Sequence, residues 1–107
     1  MTKTVEDGVL YDTEAESATM VASRCPVADR QDFKFLREEL YKTDSGRWFL
    51  FGEGGPMTTY SCSVGSGETA GGEEITGMTA DEARQWLQKH DKTEALLDHF
   101  GDEIETA

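Results

Sequence analysis

The sequence predicts an α+β fold: an antiparallel β-sheet of about four or five short strands, with two C-terminal helices packed on one face. Two features carry most of this reading. "FKFLREELYKT" (33–43) and "RWFLFG" (47–52) are β-rich segments joined by Asp44-Ser45-Gly46. A three-residue loop with glycine last fits a type I turn followed by a left-handed residue and a bulge. The second feature is Thr79-Ala80-Asp81-Glu82, a capping box that opens a helix over 80–90.

The hairpin register follows from its turn. Thr43 pairs with Arg47, Tyr41 with Phe49 and Leu40 with Leu50. Side chains alternate along a strand. One face therefore carries Phe33, Phe35, Tyr41, Phe49 and Phe51, and the other Leu36, Leu40, Trp48 and Leu50. With apolar groups on both faces, the hairpin belongs at the centre of the sheet, with helix on at least one side.

The remaining elements are placed around this pair. Residues 1–8 read as a loose acidic lead, and Val9-Leu10-Tyr11 as a short strand. "ATMVASRCPV" (18–27) reads as another strand, stopping at Pro26, and "ADRQD" (28–32) as a turn or loop. "MTTYSCSV" (57–64) alternates weakly and reads as a strand. "GSGETAGGEE" (65–74) has four glycines and no apolar side chain larger than alanine, so a mobile loop is expected, with "EIT" as a strand end. The helix over 80–90 places Ala80, Ala83, Trp86 and Leu87 on one side. Asp91 is positioned to cap a second helix, with Glu94 at the matching position. No internal repeat is visible.

At 107 residues, the chain is long enough for one modest core and is read as a single acidic domain, 1–107. No apolar run approaches the ~20 residues of a membrane span, and the N-terminus lacks a signal-like apolar segment. The expectation is a cytoplasmic, monomeric protein acting inside a host cell. Cys25 and Cys62 read as small buried or half-buried thiols. A disulfide would need their Cα atoms within ~7 Å. With only His90 and His99 as partners, at spacings that match no paired-ligand pattern, no metal or other cofactor is expected.

Charge is the dominant compositional feature. Twenty-two acids against ten bases give a net charge of −12 and a pI near 4.4. Such a chain has no basic patch with which to bind nucleic acid directly. Solubility, adaptation to high salt and a surface for a basic partner each account for that composition.

Gly52-Glu53-Gly54-Gly55-Pro56 superficially resembles a phosphate loop. A Walker loop requires a lysine and a following helix. Here proline and a strand-like segment follow, and Glu53 would repel phosphate. The segment therefore reads as a chain reversal. No nucleophile–base signature accompanies either cysteine or histidine, and no catalytic residue is assigned.

The C-terminal segment is more informative. On a continuous helix, Asp91, Glu94, Asp98, Asp102 and Glu105 share one side at i, i+3, i+7, i+11 and i+14, opposite Leu96, Leu97, Phe100 and Ile104. If the helix runs through Gly101, these carboxylates line about 21 Å, comparable in charge density with DNA phosphates at ~3.4 Å per strand. Gly101 as a C-terminal cap would shorten the row. An ordinary amphipathic helix with a solvated acidic face is the plainer reading. Glu38, Glu73 and Glu74 are the second-choice partner-binding acids.

Three segments carry a resemblance: "YDTEAESATMVAS" (11–23), "ELYKTDSGRWFLFGEGGPMTTYS" (39–61) and "ITGMTADEARQWLQKH" (75–90). Together they cover about half of the chain. They resemble a group of small acidic proteins of phages, plasmids and integrative elements, with a tyrosine-led strand, a hairpin, GEGG and a tryptophan-bearing helix. Small acidic proteins of this setting also resemble anti-CRISPR proteins. The resemblance implies a non-enzymatic inhibitor that binds a Cas effector subunit and blocks target DNA, with type I (Cascade) complexes, including type I-C, as the class of partner. It transfers no functional residues. The alternatives are a mobile-element accessory module that meets a protein through exposed aromatics and the 65–74 loop, and a small enzyme.

Overall fold

The computed structural model describes residues 3–6, 8–63, 65 and 67–104, without the side chain of Glu6. The chain runs through β1 (Lys3–Glu6), β2 (Val9–Asp12), β3 (Ala18–Val27), β4 (Leu36–Thr43), β5 (Trp48–Gly54), β6 (Cys62–Ser63), β7 (Thr69–Ala70), β8 (Gly72–Met78), α1 (Ala80–Lys89) and α2 (Thr93–Phe100), then a 3-10 turn over Gly101–Glu103. The main sheet is antiparallel in the order β3-β4-β5-β8, and β1-β2 and β6-β7 form two-stranded ribbons. This is an α+β architecture.

The central hairpin has the register set by its turn: Leu40 faces Leu50 and Tyr41 faces Phe49. Thr43 N donates to Arg47 O at 2.8 Å, and Gly46 N to Thr43 O at 2.9 Å. Gly46 has φ +86°, a conformation that suits a residue without Cβ. Alternation then divides the core in two. On one face, Leu40, Trp48 and Leu50 pack with Ala83, Trp86, Leu87 and Phe100 of the helices. On the other, Tyr41, Phe49, Phe51 and Ile75 pack with Tyr11 of β2. Tyr41 stacks on Phe49 with centroids 5.0 Å apart and planes 6° from parallel.

α1 starts where its capping box sets it. Glu82 N donates to Thr79 Oγ1 (3.1 Å), and Thr79 N donates back to Glu82 Oε1 (2.9 Å). Such a cap contributes about 1 kcal/mol. Ala83, Trp86 and Leu87 are buried, whereas Ala80 is exposed.

Several expected elements are different. Lys3–Glu6 is not a loose lead but pairs with β2. β3 continues through Pro26 to Val27; Pro26 lies within a register shift of an edge strand, where a missing N–H removes little from the ladder. β4 begins at Leu36, leaving Phe33 65% exposed. Asp29 and Asp32 hold the preceding loop with side-chain turns, accepting from Gln31 N and Lys34 N.

Gly52, Glu53 and Gly54 belong to β5, so the reversal starts only at Gly55. Of the strand expected over 57–64, Cys62–Ser63 alone is paired among the described residues, which leave out Val64, and turns occupy much of the stretch before it. The expected mobile loop contains Thr69–Ala70 of β7 and the beginning of β8, which places Glu73 and Glu74 in a strand. Cys25 and Cys62 are free and exposed rather than buried. No helix among the described residues is long and apolar enough to cross a membrane.

Candidate partner-binding surface

The C-terminal acids are not arranged as one continuous helical row. Asp91 does not cap α2. It occupies the bend between the helices with φ +56°, and Lys92 is the N-cap residue, without a side-chain cap bond. α2 carries Glu94 and Asp98, one turn apart and both exposed. Gly101 ends α2 in right-handed rather than left-handed geometry and leads into the 3-10 turn that holds Asp102. Ile104 is already extended, with φ −108° and ψ 126°. Glu105 lies outside the described residues.

Inward packing fixes this end of the molecule. Phe100 stacks on Trp48 at 5.3 Å, and His99 meets the same indole edge-on at 5.5 Å. Leu97, placed by the helical pattern on the apolar side, is 53% exposed. Asp91, Glu94, Asp98 and Asp102 are exposed, and none forms an ion pair with a described residue. Arg24, Arg30 and Arg37 are engaged on the sheet with Glu38, Glu53 and Glu39, whereas Arg84 pairs with Asp81 on α1 and lines a cleft with Leu96 of α2 and Ile104. The acids of this end are thus solvent-facing and outside any ion pair among the described residues, with Lys92 beside Asp91 as the nearest base in the chain.

Glu38 has a different role. Strand register aligns Arg24, Glu38, Gly52 and Glu74 across the sheet. Glu38 is only 12% exposed at its side chain. It accepts from Arg24 Nη1 and from the Tyr60 hydroxyl, each at 2.5 Å. Burial pushes its carboxyl up, but the Tyr60 and Arg24 hydrogen bonds and the Arg24 charge outweigh this and hold it below its ordinary value. Burial, followed by the Glu38 bond and charge, pushes the Tyr60 hydroxyl upward.

Glycines make this contact possible. The Tyr60 ring and the Thr58 side chain occupy space that Cβ atoms on Gly52 and Gly54 would take, and the Tyr60 carbonyl lies where one on Gly72 would reach. The segment after Gly55 is thus a strap seated on a glycine floor. Thr58 fixes it further by donating to Gly55 O at 2.8 Å.

Glu74 is exposed in the Glu38 row. Glu73 pairs in register with Glu53 and, by strand alternation, faces the opposite side. Glu73 and Glu74 thus project from opposite faces while Glu38 is occupied by Arg24 and Tyr60, so the three second-choice acids do not form one exposed patch. The Arg24–Glu38–Tyr60 cluster was not anticipated from sequence. Its signal was the acid at an inward position of β4 opposite a glycine of β5. That signal is readable only once the return of Tyr60 over the sheet is known.

No protein-family model matches the chain, and no match is found among curated proteins or solved structures.

Proposed function

We propose that this protein is a non-enzymatic inhibitor of the anti-CRISPR type. It docks exposed carboxylates into the basic, nucleic-acid-binding groove of a Cas effector subunit, of a type I (Cascade) complex in the first instance, and excludes target DNA. The observation that carries this reading is the exposed acidity of one end of the fold: Asp91, Glu94, Asp98 and Asp102 are exposed and form no ion pair among the described residues, while Arg24, Arg30 and Arg37 are paired on the sheet. The choice of Cas partner comes from the sequence resemblance.

The broken row changes the form of mimicry. A bend, one helical turn and a 3-10 turn offer clustered charge rather than a copy of phosphate spacing. Clustered charge raises association rates through long-range steering and makes binding salt-sensitive. Electrostatic competition does not require regular spacing, only that the acids occupy the groove that DNA needs.

A pull-down with purified Cascade subunits, with and without target DNA, tests this directly. Retention on a DNA-binding subunit, lost when target DNA is added first and weakened by salt, supports the proposal. Retention that is indifferent to both DNA and salt contradicts it. That second result would favour a mobile-element accessory module using apolar contacts, for which the exposed Phe33 (65%) and Met57 (64%) are available.

A further inference from the structure

A second surface lies away from the acidic helical end. The turn at Gly54-Gly55-Pro56 and the Gly71-Gly72 backbone wall a cleft of about 370 Å³, whose remaining lining comes from Arg30, Phe35, Glu53 and Glu73. Glycine there lets neighbouring segments of the chain pack closely, since a Cβ on Gly54, Gly55, Gly71 or Gly72 would meet Thr58, Phe33, Gly54 or Tyr60. Gly55 is held against the Phe33 carbonyl, and Met57 N donates to that same oxygen at 2.9 Å. The exposed apolar residues Phe33 and Met57 are therefore fixed next to the cleft wall in the chain.

The cleft contains a guanidinium of the protein itself. Arg30 Nη2 donates to Glu53 Oε1 at 2.8 Å, and its guanidinium carbon lies 4.9 Å from the centroid of Phe35. Arg37 Nε also lies 3.1 Å from that oxygen, a charge contact without hydrogen-bond alignment, and its guanidinium covers the neighbouring Phe51 ring. Glu53 is 17% exposed at its side chain, but Arg30 is 64% exposed. An ion pair this open adds little to stability. Arg30 is thus a loosely held, exposed occupant over a carboxylate and a ring, Glu53 and Phe35, that are themselves largely buried.

We propose that this cleft is an arginine-recognition site, in which a guanidinium from a basic protein segment displaces Arg30 and takes its place between Glu53 and Phe35. A planar guanidinium suits stacking on the ring and a directed bond to the carboxylate, whereas a lysine ammonium offers a point charge. The site therefore selects arginine over lysine. It needs no nucleic-acid-binding partner and stands apart from Glu94, Asp98 and Asp102.

The test uses the full chain and two labelled peptides of equal length, one arginine-rich and one lysine-rich, followed by fluorescence anisotropy. Arg30→Ala empties the seat and is expected to tighten the arginine peptide about tenfold. Arg47→Ala makes the same change in charge at an exposed arginine outside the cleft and is expected to leave affinity within about twofold. Glu53→Gln in the Arg30→Ala background is expected to abolish the gain. Equal gains for the lysine peptide, an equal gain from Arg47→Ala, or no gain from Arg30→Ala would each overturn the proposal.

Discussion

Tyr60 occupies the space that a side chain on Gly52 would fill: a Cβ built there would lie 1.9 Å from the tyrosine ring. The glycine in the middle of a buried strand is the counterpart of the aromatic ring above it. Gly52→Ala should force Tyr60 off the sheet and cost roughly 2 kcal/mol, measurable by urea denaturation. Tyr60→Phe keeps the ring but loses the donor to Glu38, at a cost of roughly 1.5 kcal/mol. The two costs should fall short of additivity in the double variant, because Gly52→Ala already breaks the bond that Tyr60→Phe removes.

The same neighbourhood makes stability pH-dependent. His90 stacks edge-on to Trp86 at 4.9 Å. Burial, then Arg24, Lys89 and Lys92, lower its pKa below the ordinary 6.5, against an opposing pull from Glu38. The unfolded chain therefore takes up the histidine proton first as pH drops, and stability declines below 6.5. Glu38, also lowered, contributes stability that is complete above 4.5 and is lost as pH falls through its folded value. Thermal melts across this range should show both losses. His90→Gln should remove the first and leave the second.

At alkaline pH the sign is opposite. Burial, then the Glu39 bond and charge, push Tyr41 up to about 12 from 10.0. Its contribution is complete below pH 10.0 and is lost as pH climbs toward 12. Tyr60 moves in the same direction. Phenolate absorbance should show two late-titrating tyrosines whose ionisation coincides with unfolding.

The bend between the helices is a local test of chain conformation. Asp91 holds φ +56°, a region that costs most residues but not glycine. Asp91→Gly should therefore be neutral or stabilise by about 0.5 kcal/mol, and Asp91→Val should destabilise by about 1 kcal/mol. A loss of stability in Asp91→Gly would mean that the carboxylate itself supports the bend.

The parts legible in the sequence were those governed by short-range chemistry. Asp44-Ser45-Gly46 set the register of β4 and β5, and Thr79 with Glu82 set the start of α1. Alternation along the hairpin separated Leu40, Trp48 and Leu50 from Tyr41, Phe49 and Phe51. What was not legible depended on distant partners. Lys3–Glu6 becomes a strand because β2 pairs with it. Gly72–Glu74, glycine-rich and acidic in sequence, extends because β5 provides a ladder. Glu38 looked like a surface acid until Arg24 and Tyr60 were brought to it. The helical acid row required one continuous helix from Asp91 to Glu105, whereas Asp91 sits in a bend at positive φ and the helix gives way after Phe100 to a 3-10 turn that is over by Ile104.

The central claim is that the exposed acids at the helical end compete with DNA. The direct measurement is displacement of labelled target duplex from purified Cascade by the protein, comparing wild type with the triple variant Glu94→Lys, Asp98→Lys, Asp102→Lys. These side chains are exposed, so the variant should stay folded, as checked by its circular dichroism. Wild type should displace the duplex, less effectively as salt rises, and the variant should lose at least about a hundredfold in potency. Equal displacement by both proteins, or binding to Cascade that leaves the duplex in place, would contradict the account.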